Sequence, residues 1–188
     1  MARVETVLLR FIAIYEMFSL DSFKIDLKGL DEGDNELRLS VNDGFFDAVG
    51  ATEVKKGDVS VALSIHRCGS TYTLDFHTEG IVHVPCDICL DDMDVEISSD
   101  NRLTAKLGDE YAEDGDLITV DEGDGLLDVS WFVYEFIALG IPVRHTHPEG
   151  KCNPEMLRLI SEHTPGDGER AVDSRWSELE KIKTIIKD

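Results

Sequence analysis

The amino-acid sequence predicts an α+β protein: an antiparallel, β-rich core with one buried helix and a C-terminal helical tail. Two observations carry this. Apolar and polar residues alternate through most of residues 58–107, the mark of half-buried strands. Residues 126–139 (LLDVSWFVYEFIAL) are instead apolar on nearly every face, as a buried helix is.

Taken in order, Phe18 to Leu27 alternates loosely and stops at Gly29, which reads as a strand. Residues 42–51 (NDGFFDAVGA) fit a short helix or an irregular turn. Val59, Val61, Leu63 and Ile65 alternate with Ser60, Ala62, Ser64 and His66, and Cys68-Gly69-Ser70 makes a turn. Tyr72, Leu74 and Phe76, then Val82 and Val84, resume the alternation, so the two runs form a long hairpin. A tight turn at Pro85-Cys86-Asp87-Ile88-Cys89 precedes a further strand carried by Met93, Val95 and Ile97 and extended by Leu103, Ala105 and Leu107. Residues 109–128 hold nine acidic residues and no basic one, which predicts a solvated loop with one short strand at Leu117 to Val120. The buried helix follows, with Asp128 as its N-cap, Gly140 as its stop and Pro142 forcing the chain out. A short helix fits Pro154 to Glu162, a linker fits 164–169, and a last helix fits Ser174 to Lys187. In that last helix Trp176, Leu179, Ile182, Lys183 and Ile186 fall at helical spacing.

Charge bounds the partners. With 39 acidic against 18 basic residues the net charge is -21, which opposes phosphate binding over most of the surface and suits basic protein partners. No run approaches the roughly 18 apolar residues of a membrane span. Residues 7–15 are apolar but broken by Arg10 and lack a small-residue cleavage site, so they do not read as a signal peptide. Met17 reads as an alternative start, which would make residues 1–16 a poorly ordered extension.

The four cysteines, Cys68, Cys86, Cys89 and Cys152, are too unevenly spaced for a disulfide framework. Cys86 and Cys89 form a C-x-x-C on a turn that points both thiols the same way, as a shared metal requires. Two further ligands stand in His145-Thr146-His147-Pro148-Glu149-Gly150-Lys151-Cys152. Cys152 and one of the two histidines would complete a closed Cys₃His tetrahedron suited to zinc, and a closed site is structural. Two other readings of the same residues are small buried hydrophobes and a thiol redox pair. Cys68, at a hairpin tip, is expected to be a free thiol. His66, His77 and His83 are expected on exposed strand faces, and Glu135 is expected to be exposed or paired with Arg144 or a lysine. No G-x-S-x-G, P-loop or H-E-x-x-H pattern is present.

These residues resemble the YceD family of large ribosomal RNA subunit accumulation proteins. The likeness stands on Val84-Pro85-Cys86-Asp87-Ile88-Cys89-Leu90, the acidic stretch 109–125 and Phe136-Ile137-Ala138-Leu139-Gly140-Ile141-Pro142. It continues in His147, Cys152 and the tail Asp173-Ser174-Arg175-Trp176-Ser177-Glu178-Leu179. The family spaces its histidine five positions after the proline and five before the cysteine, which selects His147 over His145. Ile88 stands where the family has arginine, and Gly140 where it has leucine. The resemblance implies a cytoplasmic bacterial protein that supports accumulation of large-subunit ribosomal RNA and hence ribosome assembly.

The leading expectation is therefore a non-catalytic factor with a structural zinc site at Cys86, Cys89, His147 and Cys152. Its partner would be a ribosomal protein or assembly factor, with a local RNA contact through the basic residues of the C-terminal tail. The chain divides into the extension (1–16), one metal-clipped β-rich domain (17–163), and the linker with its helix (164–188). The alternative is a metal-dependent hydrolase or a thiol redox protein using Cys86 and Cys89. Against redox, the C-x-x-C does not open a helix, and against hydrolysis no general base stands beside the ligands.

Overall fold

The computed structural model describes residues 19–164; the sequence-predicted extension at 1–16 and helix at 174–187 lie outside the described residues. A 3₁₀ turn at Leu20–Phe23 leads into β1 (Lys24–Asp26), β2 (Gly33–Val41) and α1 (Asp43–Val49). The long strands β3 (Lys56–Cys68), β4 (Thr71–Pro85) and β5 (Asp92–Gly108) follow. Then come β6 (Ala112–Asp114), β7 (Leu117–Asp121), β8 (Leu126–Asp128), α2 (Ser130–Leu139) and α3 (Pro154–His163).

The protein is α+β. Its six-stranded sheet runs β2-β3-β4-β5-β7-β6 and is antiparallel except where β7 lies parallel to β5. β1 and β8 form a separate antiparallel pair. The alternation seen in the sequence sorts the two faces: Val59, Val61, Leu63 and Ile65 of β3 and Tyr72, Leu74, Phe76, Val82 and Val84 of β4 are buried. Their intervening neighbours face water, as period-two side-chain geometry demands. Helix α2 packs on the buried face, with the Phe136 ring edge-on to Phe76 at 5.2 Å.

Several elements differ in detail from the sequence reading. Only Lys24–Asp26 of the first expected strand is extended, because Ser19 caps a 3₁₀ turn ahead of it. β2 went unread; its first half shows water on both faces, and only Leu39 and Val41 are buried. Residues 43–49 are helical, fixed by Asn42 accepting from the Phe45 N–H and by Gly50 at φ 73°. The acidic stretch carries three strands rather than one, since Ile118 and Val120 are buried and β8 pairs back to β1. Helix α2 starts later than expected because Leu126–Asp128 belongs to β8. Asp128 still serves the helix start, accepting from the Ser130 N–H at 2.9 Å. Finally, α2 is buried on one side only: Val133, Tyr134, Phe136 and Ile137 face the core, whereas Trp131 and Leu139 face water.

Candidate metal centre

The C-x-x-C closes the β4–β5 hairpin. Pro85 ends β4, the Cys86 N–H donates to the Asp91 carbonyl at 2.9 Å, and the Leu90 N–H returns to the Cys86 carbonyl at 2.9 Å. To close this turn Leu90 adopts φ 62°, the one positive φ of a non-glycine residue among the described residues. The turn aims the Ile88 N–H at the Cys86 sulfur, 3.4 Å away. Cys86 and Cys89 are buried, so both thiols point inward from a surface turn.

The second half arrives from α2. Gly140 terminates the helix, its N–H reaching the Phe136 and Ile137 carbonyls at 3.1 Å, and the chain then crosses to the turn. Asp87 docks it. The Asp87 N–H donates to the His145 carbonyl at 3.0 Å, and Asp87 Oδ2 accepts from the His145 N–H at 2.8 Å. Further on, Asn153 Nδ2 donates to Asp91 Oδ2 at 3.1 Å. Between these anchors the chain wraps through Gly150, at φ 76°, and delivers His147 and Cys152.

The four predicted side chains meet. The ligand atoms of Cys86, Cys89, His147 and Cys152 all lie within 4.8 Å of one another, although up to 66 residues separate them. Cys86 Sγ is 3.9 Å from Cys152 Sγ, and Cys89 Sγ is 3.3 Å from His147 Nδ1. A tetrahedral ion with metal–sulfur bonds of about 2.3 Å sets sulfur–sulfur distances of about 3.8 Å. A disulfide needs about 2.05 Å, so the spacing fits a shared cation and not a cross-link.

The electrostatics point the same way. Burial pushes the Cys86 thiol upward, but the N–H groups of Cys89, His147 and Ile88 outweigh it and hold Cys86 at about 6. Cys152 is pushed up to about 11, by burial and by the neighbouring Cys86 and Cys89 sulfurs. The cluster thus favours one thiolate and penalises the next, a conflict that a divalent cation among the sulfurs relieves. Three sulfurs and one imidazole nitrogen are the number of ligands that a tetrahedral ion takes.

The remaining candidates stand elsewhere. Cys68 is exposed at the far end of β4 from the turn, roughly 45 Å along the strand. His66, His77 and His83 are exposed, and each faces a carboxylate directly across the ladder: Asp34 at 2.6 Å, Asp100 at 2.7 Å and Asp94 at 2.7 Å. Glu135 is exposed and accepts from Trp131 Nε1 at 2.8 Å; among the described residues neither Arg144 nor a lysine pairs with it. His145 is no part of the four. Its Nδ1 lies 3.1 Å from the Pro142 carbonyl and its Nε2 3.5 Å from Asp87 Oδ1, so it braces the loop beside the cluster. Asp87 and Asp91 were not singled out in the sequence; their position inside and just after the C-x-x-C was the available signal.

The fold and cluster define a class: an acidic α+β protein whose hairpin turn and post-helix loop share a Cys₃His grouping. Within it, the chain belongs to the YceD family, large ribosomal RNA subunit accumulation protein, whose family model matches residues 74–183. That span contains the C-x-x-C, the acidic stretch, α2, His147 and Cys152. Comparison with curated proteins finds no match, and neither does comparison with solved structures. No helix among the described residues is long and apolar enough to cross a membrane.

Proposed function

We propose that this protein is a non-catalytic, cytoplasmic factor that supports accumulation of large-subunit ribosomal RNA. In this reading one zinc ion, held by Cys86, Cys89, His147 and Cys152, clips the β4–β5 turn to the segment after α2. The observation that carries the metal reading is the convergence of three sulfurs and one imidazole nitrogen within 4.8 Å. The family description carries the ribosomal reading. Thiolate and imidazole ligands suit zinc, and a closed set is the structural kind.

Function would then lie on the surface. A net charge of -21 favours a basic partner such as a ribosomal protein over naked RNA. Any RNA contact would be local, through the arginines and lysines of residues 170–187.

Two measurements test the reading. Protein purified without added zinc should carry about one zinc per chain, and the Cys152→Ser variant far less. Cells lacking the chain should show a lower ratio of large- to small-subunit ribosomal RNA, restored by the wild type. Metal-free wild-type protein would end the zinc reading, and an unchanged RNA ratio would end the ribosomal one.

A further inference from the structure

The six-stranded sheet ends on two unlike edges. β6 is three residues long and carries Glu113 and Asp114, a short, like-charged edge of the kind that discourages pairing. β2 is nine residues long, and among the described residues it pairs only with β3. Every second residue of β2 therefore turns its N–H and C=O to the other side. Its charges stand apart as well. On the sheet face away from α2, charged pairs reach directly across the ladders: His66 with Asp34, Arg102 with Asp75, His77 with Asp100 and His83 with Asp94. Glu36 and Arg38 share that face, but across from them β3 offers Ser64 and Ala62, which carry no charge. Among the described residues neither makes an ion pair. On the opposite face Leu37 ends the row that runs through Leu63 to Phe76, and there it is 36% exposed.

We propose that β2 pairs with the β2 of a second copy of this chain, antiparallel about a two-fold axis through Leu37. The order of residues in β2 selects this register. Paired strands keep their faces matched, so the axis falls on a residue and not between two. With the axis on Leu37, Glu36 of each copy faces Arg38 of the other, and Asp34 faces Ser40. Opposite charges directly across a ladder stabilise it, and like charges there destabilise it. An axis on Glu36 or on Arg38 sets that residue against its own counterpart. An axis on Asn35 sets Glu36 against Asp34, and one on Leu39 opposes no charges at all. The Leu37 register alone joins opposite charges without joining like ones. It also lays the two Leu37 side chains against each other, so the row of Phe76, Leu63 and Leu37 continues into the second copy. A joint one strand pair wide is narrow, so its dissociation constant falls in about the micromolar range. The inference goes beyond the zinc and ribosomal readings and rests on neither.

The test is analytical ultracentrifugation of the full chain over a range of concentrations. The wild type should pass from monomer to dimer as its concentration rises through about the micromolar range. Glu36→Arg alone sets Arg38 against a second cation, and Arg38→Glu alone sets Glu36 against a second anion, so each variant should stay monomeric where the wild type dimerises. Mixed together, these two variants should associate, because each then meets the opposite charges of the other. Both substitutions in one chain should restore the dimer. Glu36 and Arg38 are exposed on an edge strand, so none of these changes enters the core. The register has its own check: with Cys68→Ser, Leu37→Cys should give a disulfide between the two copies of position 37 on mild oxidation, identified by mass spectrometry. A wild type that stays monomeric at every concentration overturns the proposal, as it would if another part of the chain covered this edge. A dimer that neither single variant weakens overturns it too, and so do single variants that fail to associate on mixing.

Discussion

Leu90 sits at φ 62° because the hairpin turn must bring its N–H back to the Cys86 carbonyl. A left-handed residue with a Cβ costs roughly 1–2 kcal/mol, and Leu90 is 66% exposed, so its side chain recovers little of that. Leu90→Gly should therefore stabilise the protein by up to about 1 kcal/mol, and Leu90→Val should destabilise it. Thermal melts check this, with a shift of about 2–4 °C per kcal/mol for a chain of this size. Asp87 offers a second test. It ties the turn to the His145 backbone on both sides, at 3.0 and 2.8 Å, without being one of the four. Asp87→Ala should weaken zinc affinity by about 10–100-fold in a competition titration, as loss of a ligand-orienting partner does. Cys68→Ser should leave it unchanged.

The sheet carries two glycines on the β3–β4 ladder that leave no room for a side chain. A Cβ at Gly80 would meet the Asp58 carbonyl and stand 2.6 Å from Val59 Cα. One at Gly57 would stand 2.8 Å from the Ile81 carbonyl. Both obstacles are backbone, so the ladder itself must open. Gly80→Ala should destabilise by about 1–3 kcal/mol, read as a lower midpoint in urea. A neutral result would mean that β4 does not run this close to β3. The period-two pattern marked both strands as strands but gave Gly80 no special weight, because a missing side chain says nothing about which backbone lies opposite. Helix α2 shows the reverse limit. Its sequence is apolar all round, yet only the side against Phe76 is covered, leaving Trp131 and Leu139 in water.

Across the whole molecule the cysteine cluster and the hydrophobic core are separate. The core is built from β1 to β5, β7, β8, α1 and α2, and none of the four candidate ligands belongs to it. On the proposed zinc reading, stripping the ion should therefore free residues 141–164 while the sheet survives. The checks are limited proteolysis and far-ultraviolet circular dichroism with and without chelator. New cleavage between 142 and 153 with an unchanged strand spectrum is the expected outcome; cooperative loss of the sheet would show that the metal holds the fold together. Ligand deprotonation accompanies binding, so this metal-dependent order should be present at neutral pH and lost as pH falls. The surface charge of -21 also predicts weak binding of generic RNA at physiological salt, measured by anisotropy. Tight binding with a steep salt dependence would contradict it.

Local chemistry was legible in the amino-acid order. Alternation marked β3, β4 and β5, and a C-x-x-C between two such runs placed two thiols on a hairpin turn. The family spacing chose His147, and the structure brings that imidazole, not His145, into the group of four. These features are carried by neighbours in sequence, so side-chain period and ligand type suffice to read them. Long-range pairing was not legible. β7 lies parallel to β5, β8 pairs with β1 about a hundred residues away, and Asp87 braces a loop 58 residues later. Those pairings join segments far apart in the chain, and α2, packed against Phe76, returns the chain to the β4–β5 turn. No single segment encodes that return, because it exists only once two distant apolar surfaces exclude water together.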